Sequence, residues 1–282
     1  MKICASTYSF GKYRENGIEF MIDKAAKLGF DGVEIVDGTF DGSDDPATAE
    51  TVRALCAKQG LEIASFCTGA ELLYGDEKEH VRRLCAKIDA AAAYGAAVFR
   101  HDVSGGFRGE DAGKTYDDAI PIVAPICREA AAYAQSVGVV STTENHGYFS
   151  QDSARVKKLI EKTAHANFGA LIDLGNFMCV DEDPNAAVAA LAPYAKHVHA
   201  KDFYFKPRNG EDPGPGWFGT RGGNHLKGAI IGQGDARVFR SLAILKNAGY
   251  DGWISVEFEG TEDNLTGLLA GRENLEKFWR SV

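Results

Sequence analysis

Apolar and polar positions alternate along the chain in two kinds of run. Short β-branched or aromatic stretches predict strands at Ile3–Tyr8, Gly32–Val36, Glu62–Cys67, Ala97–Val103, Val139–Thr143, Phe168–Leu174, His197–Phe203 and Trp253–Phe258. Longer amphipathic stretches between them predict helices over Ile18–Leu28, Pro46–Gln59, Lys78–Ala93, Thr115–Val137, Ser150–Ala164, Pro184–Ala192, Ala236–Ala248 and Asn264–Val282. Ala91-Ala92-Ala93 and Ala130-Ala131-Ala132 are strong helix formers inside two of these. Strands that alternate with helices pair in parallel through crossovers, which makes the fold α/β. Eight such units, with no charge-rich or Pro-rich linker, predict one closed (β/α)8 barrel domain over residues 1–282. A doubly wound open sheet is the alternative, but no GxGxxG follows the first strand to support a dinucleotide-binding version of it.

One connection breaks the rhythm. Residues 204–231 are rich in Gly and Pro, with Trp217 and Phe218 in the middle of PRNGEDPGPGWFGTRGG. Long loops in compact domains are usually functional or disordered. This one follows the seventh strand, at the end of the barrel where active sites form. It is expected to be an active-site lid or an oligomer contact.

Composition narrows the partners. The chain is 45% hydrophobic and 25% charged, an ordinary balance for a protein with a full core. A formal charge of −9 disfavours a phosphate-backbone binder, so no nucleic acid partner is expected. No stretch is long enough to span a bilayer, and the N-terminal Met1-Lys2-Ile3-Cys4 runs directly into strand-like sequence rather than an apolar leader. Six cysteines are scattered singly with no CxxC pair, a pattern that suits buried thiols in a reducing cytoplasm. A small neutral or metal-bridged substrate is the expected partner.

The candidate chemistry lies at the ends of the last four predicted strands. Glu144 ends the fifth in VVSTTENHG and Asp173 the sixth in ALIDLGNF; His199 lies in the seventh, in HVHAKDF, and Glu257 closes the eighth in WISVEFEG. A lone carboxylate at a strand end is usually a turn or helix cap. Four ligand-type residues in register are harder to explain so, because charged groups inside runs such as LIDLG and ISVEF are costly to bury unpaired. A divalent cation is their simplest common partner. Three carboxylates with one imidazole form a hard, oxygen-rich set that suits Mn2+ first, with Mg2+, Co2+ and Zn2+ admissible.

ENHG, DLGN, HVHAKD and the final VEFEG resemble the motifs of the xylose isomerase-like TIM barrels, the sugar phosphate isomerase/epimerase superfamily. The resemblance spans nearly the whole chain. It implies one metal ion held by Glu144, Asp173, His199 and Glu257; by strand alternation His197 points the same way as His199 and is expected below it as a supporting residue. It further implies a metal-dependent isomerase or epimerase acting on a small sugar-like substrate. Such an enzyme moves a proton at the carbon next to a carbonyl, through a metal-stabilised enediolate. Glu144 and Glu257 are then the catalytic acid/base pair on opposite sides of the substrate. A homo-oligomer is expected from the resemblance and from the loop aromatics.

Further candidates for substrate contact are His146, Asn176, Lys201, His101, Glu34, Arg221 and Trp217. For Arg100 structural ion pairing is the expected role, and for Lys201 a salt bridge between strand ends competes with substrate contact. Two departures bear on the activity. The free-ketose 3-epimerases of the superfamily carry a histidine where this chain has Asn176. They also carry an arginine shortly after the metal histidine, where this chain has Phe203, Tyr204 and Phe205. A lyase of the same fold, a dehydratase or keto-glycoside-cleaving enzyme, is the alternative. A DNA-repair endonuclease-like barrel and a non-catalytic sugar binder are more remote.

Overall fold

A computed structural model describes all 282 residues. Eight parallel strands close a barrel in the order β1 (Lys2–Ser6), β11 (Trp253–Val256), β7 (Ala195–Ala200), β6 (Phe168–Asp173), β5 (Val140–Glu144), β4 (Val98–His101), β3 (Glu62–Thr68) and β2 (Gly32–Val36). Helices α1 (Gly17–Lys27), α2 (Pro46–Lys58), α3 (Glu77–Tyr94), α4 (Tyr116–Ser136), α5 (Ser153–Thr163), α6 (Pro184–Leu191), α7 (Val238–Asn247) and α8 (Asn264–Ser281) alternate with them. The barrel expectation is met, and the open-sheet alternative is not. No helix is long and apolar enough to cross a membrane.

Local chemistry explains the boundaries. Asp45, Asp76, Asp183 and Asp263 cap α2, α3, α6 and α8 by accepting from backbone N–H groups of the first turn. Thr115 and Asp118 form a reciprocal capping box on α4. The expected Ser150–Ala164 helix starts at Ser153, because Ser150 is drawn into a bridge with His146.

Residues 204–231 depart from a simple loop. β8 (Asp202–Lys206), β10 (His225–Ala229) and β9 (Phe218–Gly219) form a small antiparallel sheet of their own. The seventh barrel strand therefore stops at Ala200 rather than Phe203. Asp202 turns the chain: its carboxylate accepts from the amides of Gly232, Gly234 and Ala236, fastening the return from this sheet towards α7. Tyr148 Oη donates to the Gly219 carbonyl at 2.9 Å, and Arg221 pairs with Asp152, so the sheet is tied to the connection after β5.

Alternation along β4 places Arg100 in the barrel mouth and turns His101 away from it. The His101 ring is fully buried, 5.8 Å from Phe99 and 6.0 Å from Phe168 between centroids, and its Nδ1–H donates to the Asp102 carbonyl at 2.8 Å. Burial pushes its pKa from 6.5 down to about 4. Between these values the unfolded chain takes up a proton that the folded chain refuses, so stability falls as the pH drops from 6.5 towards 4. The expected loss is about 3 kcal/mol. Urea midpoints across that window, compared with His101→Leu, check it: the variant is expected to lose this part of the slope, and parallel profiles would remove His101 as its source.

Candidate metal centre and active site

Glu144, Asp173, His199 and Glu257 converge at the C-terminal mouth of the barrel, each offering one ligand atom within 4.8 Å of the others. They come from β5, β6, β7 and the residue after β11, which are consecutive neighbours around the barrel. All four are buried.

The short motifs around them orient each donor. In DLGN, the amides of Gly175 and Asn176 both donate to Asp173 Oδ1 at 2.8 Å, which leaves Oδ2 buried without a hydrogen-bond partner. Only glycine fits at position 175, since a Cβ there would lie 2.8 Å from the Lys201 carbonyl oxygen. In ENHG, Asn145 bridges the Asp173 backbone: its Nδ2 donates to the carbonyl and its Oδ1 accepts from the amide. Asn176 Nδ2 donates to Glu144 Oε1 at 3.0 Å, while its Oδ1 accepts from Lys201 Nζ at 3.3 Å.

His199 is fixed from beneath. Its Nε2 lies 2.9 Å from Glu34 Oε2, and an ionised carboxylate only accepts, so Nε2 carries the proton. Nδ1 faces Glu257 Oε2 at 3.4 Å and Glu144 Oε1 at 3.5 Å, again without a hydrogen-bond partner, and is the nitrogen free to meet a cation. Burial disfavours charge on this ring, but Glu34, Glu257 and Glu144 outweigh it and hold His199 well above the usual imidazole range. Burial likewise raises Asp173 to about 7, against the pull of Lys201. Both shifts express a demand for positive charge at the point where the orphaned Asp173 Oδ2 and His199 Nδ1 meet the two glutamates. The residues present therefore fit a divalent cation. A second grouping, Glu34 with His197 and His199, is instead closed by its own hydrogen bonds.

Two buried cations back the outer ligands. Arg100 Nη2 lies 2.6 Å from Glu144 Oε2, and Lys201 Nζ lies 2.7 Å from Glu257 Oε2 and 3.4 Å from Asp173 Oδ2. Burial alone would raise Glu144, yet Arg100 and then His199 outweigh it and hold the carboxyl below its usual value. Lys201 and His199 do the same for Glu257, more strongly. Both glutamates are ionised and able to accept a proton.

Not every expected contact residue reaches the cavity, whose volume is about 300 Å³. His146, Asn176 and Lys201 line it. Glu34 is wholly buried one layer below, bonded to His197, His199, Ser65 and Ser255. His101 faces the helices. Arg221 lies outside the wall with its guanidinium on Asp152, and Trp217 stacks under Lys206 while its neighbour Phe218 takes the place at the wall. His197 lies below His199 as expected, its Nε2 3.1 Å from Glu34. Arg100 pairs as expected and also reaches the cavity.

Tyr8, Gln151 and Glu259 line the cavity and were not singled out from the sequence. A signal existed for Glu259, which lies two residues beyond Glu257 and so on the same side of an extended chain. Tyr8 Oη donates to Glu259 Oε2 at 3.2 Å.

With this geometry in place, comparison with known proteins is decisive for the family. The xylose isomerase-like TIM barrel family matches residues 22–278. The chain belongs to that family. An inosose dehydratase from Lacticaseibacillus casei is 25% identical over 264 residues, an alignment covering 87% of this chain and 83% of that protein. A xylose isomerase-like TIM barrel protein from Mycobacterium smegmatis in complex with magnesium superposes with a TM-score of 0.75 at 19% identity, over 99% of this chain and 97% of that one. A D-allulose 3-epimerase from Methylomonas sp. does so with a TM-score of 0.75 at 16% identity, over 99% and 98%. Lyases and epimerases thus both occur among proteins that share this barrel.

Proposed function

We propose that this family member is a divalent-metal-dependent isomerase or epimerase of a small polyhydroxy ketone, a sugar or cyclitol, which moves a proton at the carbon beside the carbonyl. The observation that carries this is the placement of Glu144 and Glu257 as the outermost two of the four ligand residues, three strands apart around the barrel, each backed by its own buried cation. Two such carboxylates address a substrate between them from different sides: one takes the C–H proton and the other returns it to the opposite face or to the next carbon. The bound cation, Mn2+ by preference with Mg2+, Co2+ and Zn2+ admissible, supplies Lewis-acid stabilisation of the charge that develops on the carbonyl oxygen. Arg100 and Lys201 hold the two glutamates in position and ionised, and His146, Asn176 and Tyr8 offer hydrogen bonds to hydroxyl groups at the wall. The exposed Phe205 on the small sheet supports the expectation of a homo-oligomer through that face, and six free thiols support a reducing cytoplasm.

A dehydratase is the second reading. It is favoured by the inosose dehydratase relative, while Asn176 and the aromatic Phe203, Tyr204 and Phe205 weigh against a plain ketose 3-epimerase and leave inosose isomerases, other epimerases and lyases open. Turnover of ketoses, inososes, sugar phosphates and 3-keto-glycosides in D2O, with and without Mn2+, separates the two by NMR and mass spectrometry. Metal-dependent deuterium uptake beside the carbonyl, with the carbon skeleton and its oxygens retained, is the expected result. Uptake with loss of water or of an aglycone would move the assignment to the lyase, and no exchange on any compound would remove both.

A further inference from the structure

The charges around the cavity carry one step more, resting on the metal-dependent reading above. We infer that the substrate of this site is uncharged, a polyhydroxy ketone that bears neither phosphate nor carboxylate.

Four carboxylates meet at the mouth: Glu144, Asp173, Glu257 and, at the cavity wall beside them, Glu259. Two permanent cations face them, Arg100 and Lys201. Both are committed. Arg100 Nη2 lies 2.6 Å from Glu144 and 2.7 Å from Asp102, and its Nη1 donates to the Thr68 carbonyl at 3.2 Å. Lys201 Nζ lies 2.7 Å from Glu257, 3.4 Å from Asp173 and 3.9 Å from Glu259. Among these six groups the excess is two negative charges, the charge of one divalent cation, and the carboxylates of Asp102 and Glu34 lie just behind them. With that cation bound, these groups leave no surplus of positive charge.

No other positive charge is in reserve. His146 at the rim is paired with Asp102 at 2.9 Å, so in either protonation state the two together add no net positive charge. Arg221, in the connection between β9 and β10, points its guanidinium onto Asp152 and is not part of the cavity wall. A phosphate or carboxylate entering this cavity would bring charge that nothing offsets, beside Glu259 and into a setting where Arg100 and Lys201 are only 8% and 7% exposed. A neutral polyol meets a different wall. Tyr8, His146 and Asn176 present groups that bond hydroxyls, and Phe203 and Phe218, 5.5 Å apart, present apolar faces to ring C–H groups. A cavity of about 300 Å³ is at the small end for ligand pockets and suits a single ring.

Calorimetric titration of the full-length Mn2+-loaded protein tests this with matched probes: ketohexoses and a keto-inositol on one side, fructose 1-phosphate, fructose 6-phosphate and 5-ketogluconate on the other. The uncharged compounds that bind are expected to do so at least about 100-fold more tightly than their charged partners. In Glu259→Gln, which removes one half-buried negative charge, that gap is expected to narrow about fivefold. A charged compound binding as tightly as its uncharged partner overturns the inference, and so does the failure of every uncharged compound to bind. The proposed reaction stands or falls separately: binding of the ketose without deuterium exchange keeps the charge inference and removes the reaction, whereas exchange confined to a phosphorylated ketose does the reverse.

Discussion

Glu144→Gln and Glu257→Gln are each expected to lower turnover by roughly 10²- to 10⁴-fold at saturating Mn2+, the usual contribution of a positioned acid or base. Glutamine keeps the shape and can still offer an oxygen to a cation, but it cannot hold the proton. The two variants are not expected to fail in the same way. If one carboxylate removes the proton and the other returns it, the variant that keeps the removing group still exchanges the C–H proton with D2O without converting substrate to product. Its counterpart loses both exchange and conversion. Following deuterium uptake and product formation side by side therefore assigns the roles, and circular dichroism together with Mn2+ titration separates chemistry from folding and metal binding. Loss of Arg100–Glu144 or Lys201–Glu257 pairing in either variant leaves a buried cation less well matched, so some loss of stability accompanies the effect. A variant with near-wild-type turnover would take that residue out of the mechanism.

Much of this site was legible in the sequence because barrel geometry converts strand order into position. In a closed barrel of eight strands, residues at the ends of the last four are neighbours at one mouth, and Glu144, Asp173, His199 and Glu257 are. Depth was less legible. Glu34 lies two residues before the cavity-lining Val36 in β2, which at about 3.3 Å per residue places it nearly 7 Å back along the strand, below the mouth. Period-two patterning says which way a side chain faces but not how far along the strand the mouth begins, so Glu34 passed for a rim residue. The connection after β7 was illegible for another reason. Its Gly and Pro content signals turns, whereas what orders it is long-range: Asp202 on the amides of Gly232, Gly234 and Ala236, Tyr148 on Gly219, and Arg221 on Asp152. The same applies to Arg221 and Trp217, whose expected places at the substrate depended on a loop path that local sequence does not encode.

The depth of Glu34 gives it a consequence that a rim position would not. Its Oε2 accepts from Ser65 Oγ at 2.6 Å and Ser255 Oγ at 2.9 Å and lies 2.9 Å from His199 Nε2 and 3.1 Å from His197 Nε2, all fully buried. Burial disfavours its charge, but the two histidines reverse the balance and hold the carboxyl well below its usual range. The carboxylate thus fixes the His199 tautomer with Nδ1 facing the other three ligands and makes that nitrogen a better donor. Glu34→Gln keeps the volume but replaces the anion with a neutral amide whose NH2 group can also be turned towards the histidines, so tautomer and orientation are no longer imposed. Affinity for Mn2+ is expected to fall about 10- to 100-fold, read by calorimetric titration of the metal-stripped protein. Turnover is expected to recover substantially when Mn2+ is raised to saturation, because Glu34 touches neither the cavity nor, by this account, the substrate. Unchanged affinity would mean that packing of the imidazole alone orients His199. Reduced turnover that no amount of Mn2+ restores would mean that the polar layer beneath the site acts on the proton transfer itself.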